Sequence, residues 1–324
     1  MATLKDIARK TGFSVAVVSR ALNPRPDRHA RVAPATRRLL ARTARKMGFR
    51  RNRMAEFMRR GGSPTVGVFL PAYANRLVAD LVFGISEVLS AEDLPLQIGF
   101  DNYVQGFRKF MRRNVDLAHS GIISYSALIA DPDVEKQVSA YRIKGGKVVL
   151  LNTSARLDNV PCVSIDDREG GRLAAERLLA RHCVRFAVFG LYPGRQQGFH
   201  QCLSATGRTA REFKDGASGL KALTRFCMPA SGSRPVGIFA VTDVLALQIL
   251  RALSVTSLQV GRDVLLIGYD DLYLTSVITP ALTTLHQPFR EEGRLAARKL
   301  IHMINGGRES TVVIPPRLVI RDSA

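Results

Sequence analysis

Residues 3–23 read TLKDIARKTGFSVAVVSRALN. Thr3 followed three residues later by Asp6 has the pattern of a capping box at a helix start. Leu4, Ile7 and Ala8 then share one helical face, and Gly12 supplies the left-handed residue that ends the helix. Ser14 is suited to cap a second helix over 15–22, whose Val18, Ala21 and Leu22 turn back onto the first. A third helix is predicted further on, with Pro34 in its first turn, Leu39 and Leu40 inward and Gly48 as its stop. Three short helices with one tight glycine turn make a helix-turn-helix.

In such a unit the second helix enters the major groove with its N-terminal residues first. Its outward side would carry Val15, Ala16, Ser19 and Arg20. Arg20 can read a guanine edge with two hydrogen bonds, whereas Val15 and Ala16 offer apolar contacts, for instance to thymine methyls. Ser14, Ser19 and Asn23 are the right size to bond phosphates, which fix register without carrying sequence information. A small helical cap on a larger fold would show the same helical pattern. Charge separates the two. The chain carries +21 overall, and residues 1–60 hold 17 Lys or Arg against Asp6, Asp27 and Glu56, a net +14. So segregated a run points to a polyanion, nucleic acid before an anionic membrane surface.

The remainder reads differently. A length of 324 residues, 46% of them hydrophobic, suits about two domains with a sizeable core. No stretch approaches the roughly 20 unbroken apolar residues of a membrane helix. Lys5, Asp6, Arg9 and Lys10 interrupt the place of a signal-peptide core, so a cytoplasmic protein is expected. Cys162, Cys183, Cys202 and Cys227 have neither metal-ligand nor disulfide-framework spacing and are expected as reduced, mostly buried thiols. The breakers Gly61, Gly62, Ser63 and Pro64 mark a boundary. Beyond it, strand-like runs (TVGVFLP, LQIGF, GIISY, KVVLLN, VPCVSID, RFAVFG, PVGIFAV, VLLIGY) alternate with amphipathic stretches at 76–91, 105–118, 168–182 and 243–253. That alternation predicts βαβ units and parallel sheets, in two α/β lobes rather than one. Residues 205–234 are polar and Gly/Ser-rich, with a single helix placed near 217–228. No dinucleotide fingerprint, P-loop or nucleophile elbow is present, and the six histidines lack a base-and-nucleophile pattern. No catalytic residue, metal site or cofactor is expected.

The opening stretch resembles the N-terminal signature of the LacI/GalR family, the relatives of the lac and purine repressors. The resemblance continues through RKMGFRRNRMAEFMRRG, SIDDREGGRLAAERLL, GRQQGF, LLIGYDDLYLTSVITPALTTLHQPFREEGRLAARKLI and VVIPPRLVIRDS, in order and over essentially the whole chain. It implies a helix-turn-helix headpiece at 1–50, a hinge helix and linker at 51–62, and an effector-binding and dimerisation domain at 63–324. The last would resemble a two-lobed periplasmic sugar-binding protein with three crossovers. Its N-lobe is expected at about 63–161 and 290–324, its C-lobe at about 162–289. The resemblance further implies a homodimer reading a near-palindromic duplex operator, most simply as a repressor. A hinge helix at about 52–60 would fold on DNA, with Met58 in the place of a minor-groove wedge and Asn52 and Ala55 at neighbouring hinge positions.

This chain departs from the pattern at Arg51, where a proline is usual, at Val17, where threonine is frequent, and at Ala33, where a capping serine is common. For the cleft, the resemblance carries over to Arg195 and Asp270, reaching from loops at strand ends to hold hydroxyls or, for the arginine, a carboxylate. An ion pair between the two loops is the alternative. Thr242 stands where Asn or Ser is frequent, and Tyr73 and Ser124 are further candidate liners. The effector would be a sugar, sugar acid or other metabolite. A cytoplasmic sensor whose basic arm binds nucleic acid without sequence preference is the competing expectation. A plain solute-binding protein is disfavoured by the basic headpiece.

Overall fold

The computed structural model describes residues 2–22, 32–49, 63–72, 76–116, 119–125, 131–152, 157, 159–228 and 235–324. The chain divides into two compact units, 1–61 and 62–324.

The first unit is helical. α1 (Leu4–Thr11), α2 (Val15–Ala21) and α3 (Pro34–Lys46) enclose a small core of Ile7, Ala8, Val18, Ala21, Leu40 and Ala44. The local chemistry sets each end. Asp6 N–H donates to Thr3 Oγ1 at 3.3 Å and Thr3 N–H returns a bond to Asp6 Oδ2 at 2.9 Å. Gly12 ends α1 at φ +73°, its N–H donating to Ala8 O at 2.9 Å. Ser14 Oγ accepts from Val17 N–H at 3.3 Å and so starts α2. α3 begins with Pro34 and no side-chain cap, because Ala33 has no oxygen to offer. One expectation fails here. Leu39 is 50% exposed, and Leu40 alone of the pair points inward. Adjacent helical residues lie about 100° apart, so a core three helices wide accommodates one of them.

The second unit is built on parallel sheets. The chain runs β1 (Ser63–Leu70), α4 (Arg76–Ala91), β2 (Leu96–Phe100), α5 (Val104–Asp116), β3 (His119–Tyr125), α6 (Pro132–Ile143), β4 (Lys147–Leu151) and β5 (Cys162–Ile165). α7 (Asp167–Ala180), β6 (Arg185–Phe189), α8 (Pro193–Ser204), β7 (Ala210–Phe213), α9 (Ala217–Cys227), β8 (Val236–Ala240), α10 (Asp243–Leu253) and β9 (Val264–Ile267) follow. α11 (Leu274–Val277), β10 (Thr284–His286), α12 (Phe289–Ile304), β11 (Val312–Ile314) and β12 (Arg317–Val319) complete it. One sheet has the order β11-β5-β4-β3-β1-β2 and the other β7-β6-β8-β9, every pair within them parallel. β10 and β12 pair antiparallel beside the second sheet. Strands covered on both faces need continuous apolar runs, and Val236–Ala240 and Val264–Ile267 are buried throughout.

The sheets shift the expected lobe boundaries. β5 pairs with β4 and β11 and so belongs to the N-lobe sheet, although the expected break falls before Cys162. β12 pairs with β10, and Leu266 N–H donates to Ser323 O at 2.9 Å, which puts the C-terminus in the C-lobe. The N-lobe thus comprises about 63–165 and 289–314, the C-lobe about 167–286 and 317–324. Pairing between strands so distant along the chain leaves no local trace in sequence. β7, an edge strand inside 205–234, also escapes the sequence pattern, since Arg211 and Glu212 are exposed and polar.

Three cysteines (162, 183 and 227) are buried, Cys202 is half-buried, and none is disulfide-bonded. Burial pushes the Cys183 and Cys227 thiols up to about 12. Among the described residues no helix is long and apolar enough to cross a membrane, and no cluster of His, Cys, Asp or Glu is arranged to hold a metal ion.

Candidate functional sites: the second helix and the inter-lobe cleft

On the helical unit, Ser14, Val15, Ala16, Ser19 and Arg20 are all exposed on one side of α2. Val18 and Ala21 hold the opposite side in the core, so the burial pattern itself fixes which side faces out. Arg20 Nε donates to Ala16 O at 3.1 Å, which bends the side chain along its own helix and leaves the two terminal nitrogens outward. Val17 packs against the core from its edge. Its methyl groups serve packing where a threonine would place a hydroxyl. Asn23, Asn52, Ala55 and Met58, with the predicted hinge over 52–60, lie outside the described residues, as does Tyr73.

The second site is a cleft of about 200 Å³ between the two sheets of the larger unit. Its polar lining comes from Tyr125, Asn152, Asp167, Tyr192, Arg195, Thr242, Asp270 and Gln287, its apolar lining from Pro71, Leu77, Val78, Leu81 and Phe289. Most of the polar set sits at or just beyond a strand's C-terminal end. Tyr125 ends β3, Asn152 follows β4, Asp167 and Tyr192 follow β5 and β6, and Thr242, Asp270 and Gln287 follow β8, β9 and β10. Parallel α/β sheets open their binding crevices there.

Arg195 is the centre of this arrangement. It comes from the first turn of α8, not from a loop as expected, and is almost fully buried. Its Nε donates to Asp167 Oδ1 at 2.8 Å and its Nη1 to Val241 O at 2.6 Å, with Asp270 Oδ1 3.6 Å from Nη1. The guanidinium carbon lies 3.9 Å from the Tyr192 ring centre and 3.6 Å from that of Tyr269. Burial works against its charge, but Asp167, Tyr269 and Asp270 outweigh it and hold the arginine above its ordinary value. The inter-loop ion pair is therefore present, and in the same place as the lining.

Asp270 is set by its neighbours. Gln287 Nε2 donates to its Oδ1 at 2.6 Å, its own N–H donates to Leu285 O at 2.8 Å, and its φ is +127°. The next residue, Asp271, is at φ +55°. Asp243 secures this strained turn, accepting from Leu272 N–H at 2.8 Å and from Thr284 Oγ1 at 2.6 Å. Burial pushes the Asp270 carboxyl up to about 7 against the pull of Arg195, and that of Asp243 up to about 6. Asp271 goes the other way, down to about 2, because His286 and Arg321 bond its carboxylate.

Thr242 lines the cleft and also caps α10, accepting from Leu245 N–H at 3.3 Å. Ser124 does not reach the cleft. It is buried within β3 and its hydroxyl donates to Tyr125 O at 3.2 Å. Successive strand residues face opposite sides, so Tyr125 lines the cleft where its neighbour cannot. Asn152, at φ +44°, accepts from Ile165 N–H at 3.1 Å and donates to Glu292 Oε2 at 3.1 Å. It joins the first crossover to the start of α12. Glu292 is fully buried, and burial raises its carboxyl well above the ordinary value. Residue-type reasoning missed Tyr125, Asn152, Asp167, Tyr192, Gln287 and Phe289. The signal that could have found most of them was position, one or two residues past each predicted strand.

A model of the periplasmic binding protein-like domain matches residues 175–324. Two relatives cover nearly the whole chain. Catabolite control protein A of Priestia megaterium is 26% identical, over 99% of this chain and 98% of its own. The ribose operon repressor of Escherichia coli K12 is 25% identical, over all of both chains. The likeness to the LacI/GalR repressors thus runs over nearly the whole chain. Its fold is also that of the lac repressor dimer bound to operator and the anti-inducer ONPF, with a TM-score of 0.68, 23% identity and coverage of 99% and 98%. The named relatives are transcription regulators rather than enzymes.

Proposed function

We propose that this chain is a LacI/GalR-family, sequence-specific repressor of transcription that answers to a neutral polyhydroxylated metabolite in the cleft. Residues 1–50 form the DNA-reading head, 51–62 the hinge, and 63–324 the sensor. Arg20, Val15 and Ala16 face base edges, Ser14, Ser19 and Asn23 the phosphates, and Asn52, Ala55 and Met58 serve at the hinge. Tyr73 is a further proposed effector residue.

The observation that carries the effector class is the sequestration of Arg195. Its Nε and Nη1 are engaged by Asp167 and Val241, and its faces by Tyr192 and Tyr269. Little of its charge is left for a ligand carboxylate. What the cleft offers instead is acceptors at Asp167 and Asp270, amides at Asn152 and Gln287, and apolar walls from Leu77, Leu81 and Phe289. Hydroxyl donors on an uncharged ring satisfy the first and C–H faces the second. A sugar acid would bring an anion to a site with two carboxylates and one committed cation.

Pairing of two copies is supported by the exposed apolar side chains Phe83, Val244, Leu274 and Val277 on the larger unit. A dimer presents two heads to a near-palindrome. A regulator of DNA acts in the cytoplasm. Selection of duplexes from a random pool, by the full chain and by a chain lacking residues 1–62, tests this. Enrichment of a near-palindrome by the full chain alone, with affinity falling steeply in salt, is expected. Binding without sequence preference, with every candidate metabolite added, would replace the repressor by the sensor with a non-specific basic arm.

A further inference from the structure

The N-lobe strands point their C-termini at the cleft. The opposite end carries cations. The registers locate that end: Ser63 pairs with His119 and Gly121 with Lys147, so β1, β3 and β4 all begin there. α5 and α6 run back towards it, parallel to each other, with Arg108 near the start of α5 ion-paired to Asp133 at the start of α6. Their far ends deliver Arg112, Arg113 and Lys144, and β4 opens with Lys147.

Lys109, Arg112, Arg113 and Lys144 are exposed and ion-pair with no described residue. Arg142 is held by Asn159 O at 2.9 Å. Beside Lys144, Ile143 is 87% exposed. Among acids near these strand starts, Asp116 is the last residue of α5, Glu92 and Asp93 follow α4, and Glu309 is occupied by Lys299 and His302. A basic residue in a helix's last turn has a local use, since it meets the negative end of the helix dipole. Arg113 and Arg142 qualify, and Lys144 is the C-cap of α6. Lys109, Arg112 and Lys147 lie outside those last turns, so the dipole leaves half of the patch unexplained.

The chain enters the N-lobe at this same end, at Ser63. The twelve residues before it hold Arg50 at their border and Arg51, Arg53, Arg59 and Arg60 within, against Glu56 alone. The basic character of the DNA-reading segment thus runs on into the end of the sensor lobe that follows it. Resting on the DNA-binding role proposed above, we infer that the α5–α6 end of the N-lobe is a second DNA contact, taking the phosphate backbone of duplex that flanks the operator. Its cations are mostly on flexible stems with no carboxylate partner among the described residues, which suits a sequence-blind backbone contact.

The test compares two duplexes bound by the full-length protein. One is the selected operator alone, the other the same operator extended by about two helical turns (roughly 20 base pairs) on each side. The variant Arg112→Gln, Arg113→Gln, Lys144→Gln is set against a charge-matched C-lobe control, Arg211→Gln, Lys214→Gln, Lys221→Gln. All six residues are exposed, and far-UV circular dichroism checks that both variants fold. The wild type and the control are expected to bind the extended duplex more tightly than the short one. The N-lobe variant should lose that advantage while holding the short operator unchanged, and its salt slope on the extended duplex should shallow by about 0.9 for each phosphate it no longer neutralises. An advantage equal in all three proteins overturns the inference, as does a loss equal in variant and control. Flank-independent binding in the wild type does so too and turns the patch towards an acidic protein. If no operator is selected, the DNA-reading role has failed separately. A random extended duplex then gives the same comparison of variant with control.

Discussion

Asp270 shows what a single carboxyl does when burial and a guanidinium compete for it. Its value near 7 lies above that of an unfolded aspartate, so the folded state holds the proton more tightly. Its contribution to stability is fully present below about pH 4, declines as pH rises, and is gone above about 7. Asp271, held at about 2, has the opposite sign and contributes above about pH 4, losing this only as pH falls through 2. Replacing Asp270 by Asn should therefore flatten the fall in melting temperature between pH 4 and 7 and leave the acid limb below 4 intact. A ligand whose hydroxyls need the ionised carboxylate will release a proton on binding. Its affinity in the wild type should weaken by up to about tenfold per pH unit below 7, which calorimetry in two buffers reads directly. Arg195→Ala leaves Asp167 and Asp270 without their cation. A loss of about 3–5 kcal/mol in urea unfolding is expected, with Arg195→Lys recovering only part of it because a point charge cannot bond Asp167 and Val241 together.

At the scale of elements, the placing of Arg195 depends on how closely α7 and α8 approach. A methyl at Gly171 would stand 1.9 Å from Arg195 O, and one at Gly198 1.8 Å from Arg168 O. Gly171→Ala must push the helices apart, costing about 1–3 kcal/mol or more. Ligand affinity should fall with it although residue 171 touches no ligand, and a matched loss in thermal-shift response would show it. On the small unit, Ser14→Ala removes the cap of α2 and should cost about 1 kcal/mol of headpiece stability, measured by thermal unfolding of the amide signals of that unit.

Elements are also where sequence was most legible. The capping box, Gly12, Pro34 and the apolar runs of the strands each act within a few residues, and the structure has helices and strands where they indicated. Leu39 and β7 show the limit. Which of two adjacent leucines turns inward depends on the width of the neighbouring helices, and an edge strand with one covered face has little apolar signature. The lobe boundaries were illegible for the same reason, since β5, β11 and β12 are defined by partners far away in sequence. At the cleft, Arg195, Thr242 and Asp270 are brought together as lining residues, whereas Ser124 was one strand position off. The Asp167 and Tyr192 partners of Arg195 needed the sheet to be seen.

For the whole molecule, the three crossovers make the cleft a hinge as well as a pocket. Asn152 ties two of them through Ile165 and Glu292, and the cleft is lined from both lobes. A ligand that prefers one angle between the lobes shifts the population of that angle, and in the dimer proposed above that shift would be felt at the operator. The measurement that tests this most directly is the affinity of the full chain for its selected operator, with and without a neutral polyol identified by thermal shift, in the wild type and in Asp270→Asn. A change of about 5- to 150-fold in the wild type, corresponding to a coupling of about 1–3 kcal/mol, and none in Asp270→Asn, is predicted. An operator affinity that stays the same while the polyol fills the cleft of the wild type would contradict it.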